Sequence, residues 1–324
     1  MKSDDMIKFP PRAINCFTGS LAQMSSRCGV EIEEAQLLEA GDGYLYRAGL
    51  DEFGLPEYTF AVEDVGLRAC AVLGARVMRI PIGVDWLTQL TTILVDHPCI
   101  VWVNSAYLDY APIYSARPGY LHAVLVIGIN DAATHVRIFD SLIVDREPYG
   151  CEAWLTIDAF ASAILNRVRT EAYDHMGNFI VMQTPPTDAL FDTRTSLHRQ
   201  AELYYANDAH SNALPNYRSL CMQVFSDTPT VASAAARRLF DHIVVLYVIP
   251  GLSLLSHSTR RAGCGESLNA DILALIDHWR ALSILALKFE ATASLVVLRR
   301  IEERFGVLES SVHGMWMRIH NATR

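Results

Sequence analysis

Two textures divide the chain. Up to Gln183, short runs rich in Val and Ile alternate with amphipathic stretches; beyond it, apolar residues recur at helical spacing over long segments. The early part predicts helices over Cys16 to Cys28, Ile32 to Leu38 and Val62 to Leu73. Strands follow at Val77 to Ile80, Cys99 to Val103, His122 to Ile129, His135 to Phe139 and Phe179 to Met182. Asn130 and Asp131 turn two of these strands into a hairpin. The late part predicts helices over Thr195 to Tyr205, Leu214 to Phe225, Val231 to Val248, Ser267 to Glu290 and Ala293 to Phe305, with Val307 to His320 extending the last. Between the textures lies QTPPTDALFD, two prolines among turn formers, which places a domain boundary there. The expectation is an α+β domain over 1–185 followed by an all-helical domain over 186–324.

Composition narrows the class. With 51% hydrophobic and 19% charged residues the chain is too apolar for disorder, and it leaves room for a buried pocket or a partner surface, a homodimer included. The net charge of −9 argues against a nucleic-acid partner, which needs clustered cations to displace counterions from phosphates. Basic pairs nevertheless occur at Arg237/Arg238, Arg260/Arg261, Arg299/Arg300 and Arg167/Arg169. The start, MKSDDMIKFPPRAIN, lacks the basic and apolar regions of a secretory signal. The longest apolar run, Ile243 to Leu255, is broken by Pro250 and Gly251 and falls short of the ~20 residues a membrane span needs, so no membrane is expected. Seven cysteines, an odd number without a CxxC pair, fit neither a disulfide framework nor a zinc knuckle, and point to a reducing cytoplasm.

Chemistry gathers on three residues in chain order. Asn15 is a plausible N-cap, so Cys16 falls in the first turn of its helix, where the positive end of the helix dipole favours a thiolate and free N–H groups can hold an oxyanion. His122 stands at the mouth of an apolar strand after a loop. Asp140 closes the neighbouring strand, within reach of the imidazole. Singly, Cys16 is equally a small buried residue, His122 a structural histidine and Asp140 a turn former; the ordered set reads as nucleophile, base and orienter. As the base, His122 would set the acid limb of the pH profile. Asn104 to Tyr120 carries Tyr107, Tyr110, Tyr114 and Tyr120 directly before the histidine, and reads either as the lining of a substrate site or as an ordinary aromatic loop. Gly41, Gly43 and Tyr44 either wall the cleft or make a turn. The seven histidines from His198 to His320 show no HExxH or other ligand spacing, so neither a metal nor any other cofactor is expected.

A helix-borne cysteine, then His-x-V-x-x-x-G on a strand, then Asp on the next strand resembles papain-like cysteine enzymes. INCFTGSLAQMSSRCGVEI, GDGYLYRAG, VWVNSAYLDYAPIYSARPGYLHAVLVIGIND and VRIFDS resemble the butirosin biosynthesis protein H family over residues 10 to 185, and the helical remainder is similar to that family's companion domain. The resemblance implies a papain-like fold followed by the helical domain. It also implies an acyl group carried as the phosphopantetheine thioester of an acyl or peptidyl carrier protein, passed through Cys16 to a small-molecule amine or to a nucleophile within the acyl chain. Carried over by position, Cys16, His122 and Asp140 are catalytic, and Asn15, Tyr44, Asn104, Tyr107, Tyr110 and Tyr120 face the substrate. Asn104 departs from the pattern, since an acidic residue is expected after the VWV strand. A cysteine peptidase or amidase would use the same acyl-enzyme with water as acceptor; the lack of a secretion signal favours transfer. A third alternative is a binding module without catalysis.

Overall fold

In the computed structural model, residues 13–51, 53–116, 120–143, 150–166, 168, 176–187 and 191–324 are described. The chain runs α1 (Cys16–Arg27), α2 (Glu34–Ala40), β1 (Arg47–Leu50), β2 (Pro56–Thr59), α3 (Val62–Val72), β3 (Arg76–Pro81), α4 (Trp86–Asp96), β4 (Cys99–Asn104), a 3-10 turn (Ser105–Tyr107), α5 (Pro112–Ala116), β5 (Leu121–Ile129), β6 (His135–Asp140), β7 (Cys151–Thr156), α6 (Ile157–Leu165) and β8 (Asn178–Thr184). Helices then dominate: α7 (Thr193–Ala206), α8 (Asp208–Ser211), α9 (Ala213–Phe225), α10 (Pro229–Arg238), a π-helical stretch (Leu239–Val248), α11 (Ile249–Arg261), α12 (Glu266–Thr292) and α13 (Leu295–Thr323). The molecule therefore mixes an antiparallel sheet with a helical C-terminal region.

Contacts divide the chain into two units, residues 1–34 with 74–187, and residues 35–73 with 188–324. By contacts the later division lies within QTPPTDALFD, and residues 35–73 group with the helical segment and not with the strands around them in sequence.

The first unit is built on six antiparallel strands in the order β3-β8-β4-β5-β6-β7. Strand β4 is central and covered on both faces, which is why CIVWV reads as a continuous apolar run instead of alternating. Trp102 faces α1, where it stacks on Phe17 at 5.4 Å. On the other face Val101 and Val103 join Val124, Val126, Leu90 of α4 and Phe160 of α6 in one buried cluster. The sheet thus holds α1 against β5, so the residues beginning that helix stand over the strand that carries His122.

In the second unit β1 and β2 form an antiparallel hairpin whose turn is closed by Asp51, its carboxylate accepting from the N–H of Phe53 and Leu55. Tyr58 stacks against Tyr46, Tyr217 and Trp279, joining the hairpin to α9 and α12. Gly41 is required by close packing: a Cβ there would lie 2.0 Å from the Val65 carbonyl oxygen.

The helical stretch Pro229–Arg261 is, among the described residues, the one long and apolar enough to cross a membrane. Pro250 and Gly251 do not interrupt it, against expectation. The preceding π-helical turn, in which Ile249 N–H reaches the Val244 carbonyl five residues back, relieves the clash the proline ring would cause and needs no N–H from it. Leu239, Ile243, Val244, Val248, Leu252 and Leu255 are buried, and the stretch packs on α12, so a bundle core accounts for its hydropathy.

Candidate active site

The site starts with a helix cap. Asn15 has extended backbone (φ −148°, ψ 142°), and its Oδ1 accepts from the N–H of Phe17 at 2.7 Å and of Thr18 at 3.4 Å. This fixes Cys16 as the first helical residue, where its own N–H has no intrahelical acceptor. Beneath the cap, the half-buried Glu34 accepts from Ile14 N–H at 2.8 Å, Asn15 N–H at 3.2 Å and the Thr18 hydroxyl. Burial pushes the Glu34 carboxyl up to about 7 against the pull of these three donors. No sequence signal marks Glu34, which lies inside the helix expected over Ile32 to Leu38 and begins α2 in the structure.

The other members come from β5 and β6. Leu125 pairs with Phe139, so Asp140, one residue on, lies diagonally across from His122 on the same face of the sheet. His122 Nε2 meets Asp140 Oδ1 at 2.9 Å. The Cys16 side chain is in hydrogen-bond contact with the same imidazole. With Nε2 taken by the carboxylate, Nδ1 is the nitrogen left for the sulfur.

Asp140 is fully buried and its oxygens are fully used. Oδ1 also accepts from Leu142 N–H at 3.0 Å, while Oδ2 accepts from the hydroxyls of Tyr110, at 2.7 Å, and Tyr114. Burial alone would raise this carboxyl, but the charge of His122 and the donors around it hold it below the ordinary carboxylate range. Burial likewise would lower His122, yet the Asp140 carboxylate and the Cys16 sulfur outweigh it and hold the imidazole up at about 10. The imidazole therefore carries its proton at neutral pH.

A further link ties the two halves of the site. Ser141, next to Asp140, donates from its hydroxyl to the Cys16 carbonyl at 3.0 Å. The contact is possible because residue 19 is glycine: a Cβ there would lie 2.6 Å from Ala13 Cβ and 2.8 Å from Ser141 Oγ. Gly19→Ala is expected to cost about 1–3 kcal/mol of stability through overpacking and to lower turnover further by moving Cys16 away from His122. Chemical denaturation run beside activity checks it, and an unchanged rate would show that this contact does not position the thiol.

Of the expected substrate-facing residues, the structure brings Tyr110 and Tyr120 to the site. Tyr110 serves Asp140 directly. Tyr120 stands edge-on to the imidazole, ring centroids 6.3 Å apart. Asn15 is buried and spent on the cap. Asn104 caps the 3-10 turn, its Oδ1 accepting from Ala106 N–H and its Nδ2 donating to the Asn166 carbonyl, so it is a loop fastener. Tyr107 is 36% exposed on that turn. Tyr44 belongs to the second unit, where it is buried with its hydroxyl 2.7 Å from Ser258 Oγ. Tyr114, named in the sequence only as one of four tyrosines of an aromatic loop, holds Asp140 and stands 3.0 Å from His122 Nε2, a part the sequence reading did not give it.

Among the other cysteines, burial pushes Cys70 and Cys221 up to about 12, raises Cys99 further, and also raises Cys28 and Cys264. These thiols are held neutral, as inert packing residues are. No protein-family model and no curated protein matches the chain.

Proposed function

We propose that this chain is a papain-like cysteine acyltransferase of the butirosin biosynthesis protein H kind, working in the cytoplasm. It takes an acyl group from a carrier-protein thioester and delivers it to a small amine or to a nucleophile within the acyl chain. The observation that carries the reading is the buried contact of Cys16, His122 and Asp140, with the imidazole held protonated beside a cysteine at a helix start. An imidazolium partner and a helix N-terminus are what a thiolate needs.

In the first step the Cys16 thiolate attacks the thioester carbonyl, and the Cys16 N–H supports the oxyanion. The bond to the carrier's sulfur breaks, and His122 gives its Nδ1 proton to that leaving thiolate. In the second step the amine attacks the acyl-enzyme, the bond to Cys16 breaks, and His122 takes the amine's proton, restoring the starting ion pair. Asp140 keeps Nε2–H in place throughout, itself held by Tyr110 and Tyr114. Mixing the protein with acyl-carrier thioesters and weighing it intact tests the reading: an acyl adduct on Cys16 that an amine discharges to amide supports it. An adduct discharged only to free acid would favour an amidase, and no adduct with any thioester would remove the proposal.

A carrier protein, usually acidic, needs a local basic surface on a chain of charge −9. Arg237 is paired with Glu290, Arg238 with Asp51 and Glu57, and Arg261 with Glu39. Arg299 and Arg300 are exposed on α13, and Arg167 and Arg169 lie outside the described residues. Reversing Arg299 and Arg300 to Glu is expected to raise KM for the carrier-bound donor roughly tenfold, leaving a small thioester of the same acyl group unaffected. Equal KM for both donors in wild type and variant would count against this docking surface.

A further inference from the structure

The histidines of the second unit show no ligand spacing along the chain, yet the fold gathers two of them. His198 and Glu202 lie four residues apart on α7, with Nε2 and Oε1 at 3.5 Å. His320 comes from the last turn of α13 and stacks on His198, ring centroids 4.9 Å apart and planes within 8°. One donor atom from each of the three lies within 4.8 Å of the other two. We propose that His198, Glu202 and His320 bind a late first-row divalent cation, Zn2+ by donor set, which fastens α7 to α13.

The hydrogen-bonding geometry is the strongest ground. The Thr323 hydroxyl, which donates to the Ile319 carbonyl at 2.7 Å, stands 3.1 Å from His198 Nδ1. With Nδ1 engaged there, Nε2 is the ring nitrogen turned to Glu202 Oε1, 3.5 Å away, and the His320 ring lies beside it. A divalent cation at this point would draw on the carboxylate and both imidazoles together. Thr323 has the part that hydrogen-bonded partners of ligating histidines play, fixing tautomer and ring orientation.

The surroundings suit a cation. His320 and Thr323 lie at the C-terminal end of a 29-residue helix, the negative end of its dipole. Metal bonds of about 2.0–2.2 Å put tetrahedral ligands about 3.4 Å apart, close to the 3.5 Å between His198 Nε2 and Glu202 Oε1, and Glu202 is exposed. Two imidazoles and one carboxylate suit Zn2+ and its neighbours, whereas Mg2+ and Ca2+ want oxygen ligands. Water completes the fourth position, and the site's place between two helices gives it a structural role.

The test uses the untagged full chain stripped with a chelator. Calorimetric titration with zinc chloride is expected to show one ion per chain and a raised melting temperature, and Co2+ to give the visible absorption of a four- or five-coordinate site. Thr323→Val should weaken binding about 10- to 100-fold, and His198→Ala with His320→Ala should remove it. Should the double variant prove unstable without metal, Glu202→Gln on the exposed carboxylate gives the same reading through lost affinity. Failure of the wild type to bind one equivalent, or binding unchanged in Glu202→Gln and the double variant, would overturn the proposal.

Discussion

Cys16→Ala is expected to abolish acyl transfer and the acyl adduct together while the protein still folds. The side chain is small, so its loss should cost only about 1 kcal/mol, whereas nothing else in the site can form the covalent bond. Cys16→Ser should fail as well, because a hydroxyl beside a protonated imidazole finds no base to take its proton. Cys28→Ala, at the far end of the same helix, is the control: its thiol is raised by burial, so full activity is expected. Turnover by Cys16→Ala at the wild-type rate would remove the central claim.

The second large effect is at His122. Its replacement by Ala should lower the rate ~10²- to 10⁴-fold, the usual worth of a positioned acid–base group. The pH profile separates its role from that of Asp140. Because His122 is held up at about 10, the imidazolium persists across neutral pH and is lost as pH rises through that value, so its limb is alkaline. From sequence the expectation was an acid limb; with the Asp140 carboxylate and the Cys16 sulfur holding the imidazole up, the structure leads to an alkaline one. Asp140→Asn removes the main group that raises the imidazole and leaves burial, which lowers it; the alkaline limb should move down, at a smaller loss of rate than His122→Ala. An alkaline limb that stays in place in Asp140→Asn would mean the pair does not act as assigned. The same signs govern stability. The His122 contribution is fully present below its unfolded value of about 6.5 and fades as pH rises through about 10, while that of Asp140 fades as pH falls through its depressed value.

The sheet's centre was legible because CIVWV and HAVLVIGI are buried runs of β-branched residues, and those strands appear within a residue or two of expectation. Strand β7 was missed: CEAWLT is an edge strand with two exposed positions and no alternation to read. Helix α4 was missed for the opposite reason, its TTILV looking like a strand while tertiary packing of Trp86 and Leu90 makes it helical. Cys16, His122 and Asp140 were readable as a set from order and position, and the fold brings them together. What fixes them, Glu34 under the cap and two tyrosines on Asp140, was not, because each acts through a contact that no local spacing encodes. Pro250 misled for a local reason, since the rule that proline ends helices does not foresee a π-turn.

The return of residues 35–73 to the helical unit sets an order on manufacture. Glu39 meets Arg261 across 222 positions of chain, and Tyr44 meets Ser258 across 214. During synthesis the hairpin and α3 leave the ribosome early, yet their partners emerge only when most of the polypeptide has been made. In that interval residues 74–187, whose strands pair chiefly with one another, are already complete. The unit bearing Cys16 is thus the one that can close first, while a segment whose Glu39 and Tyr58 find partners made much later waits exposed for the end of the message.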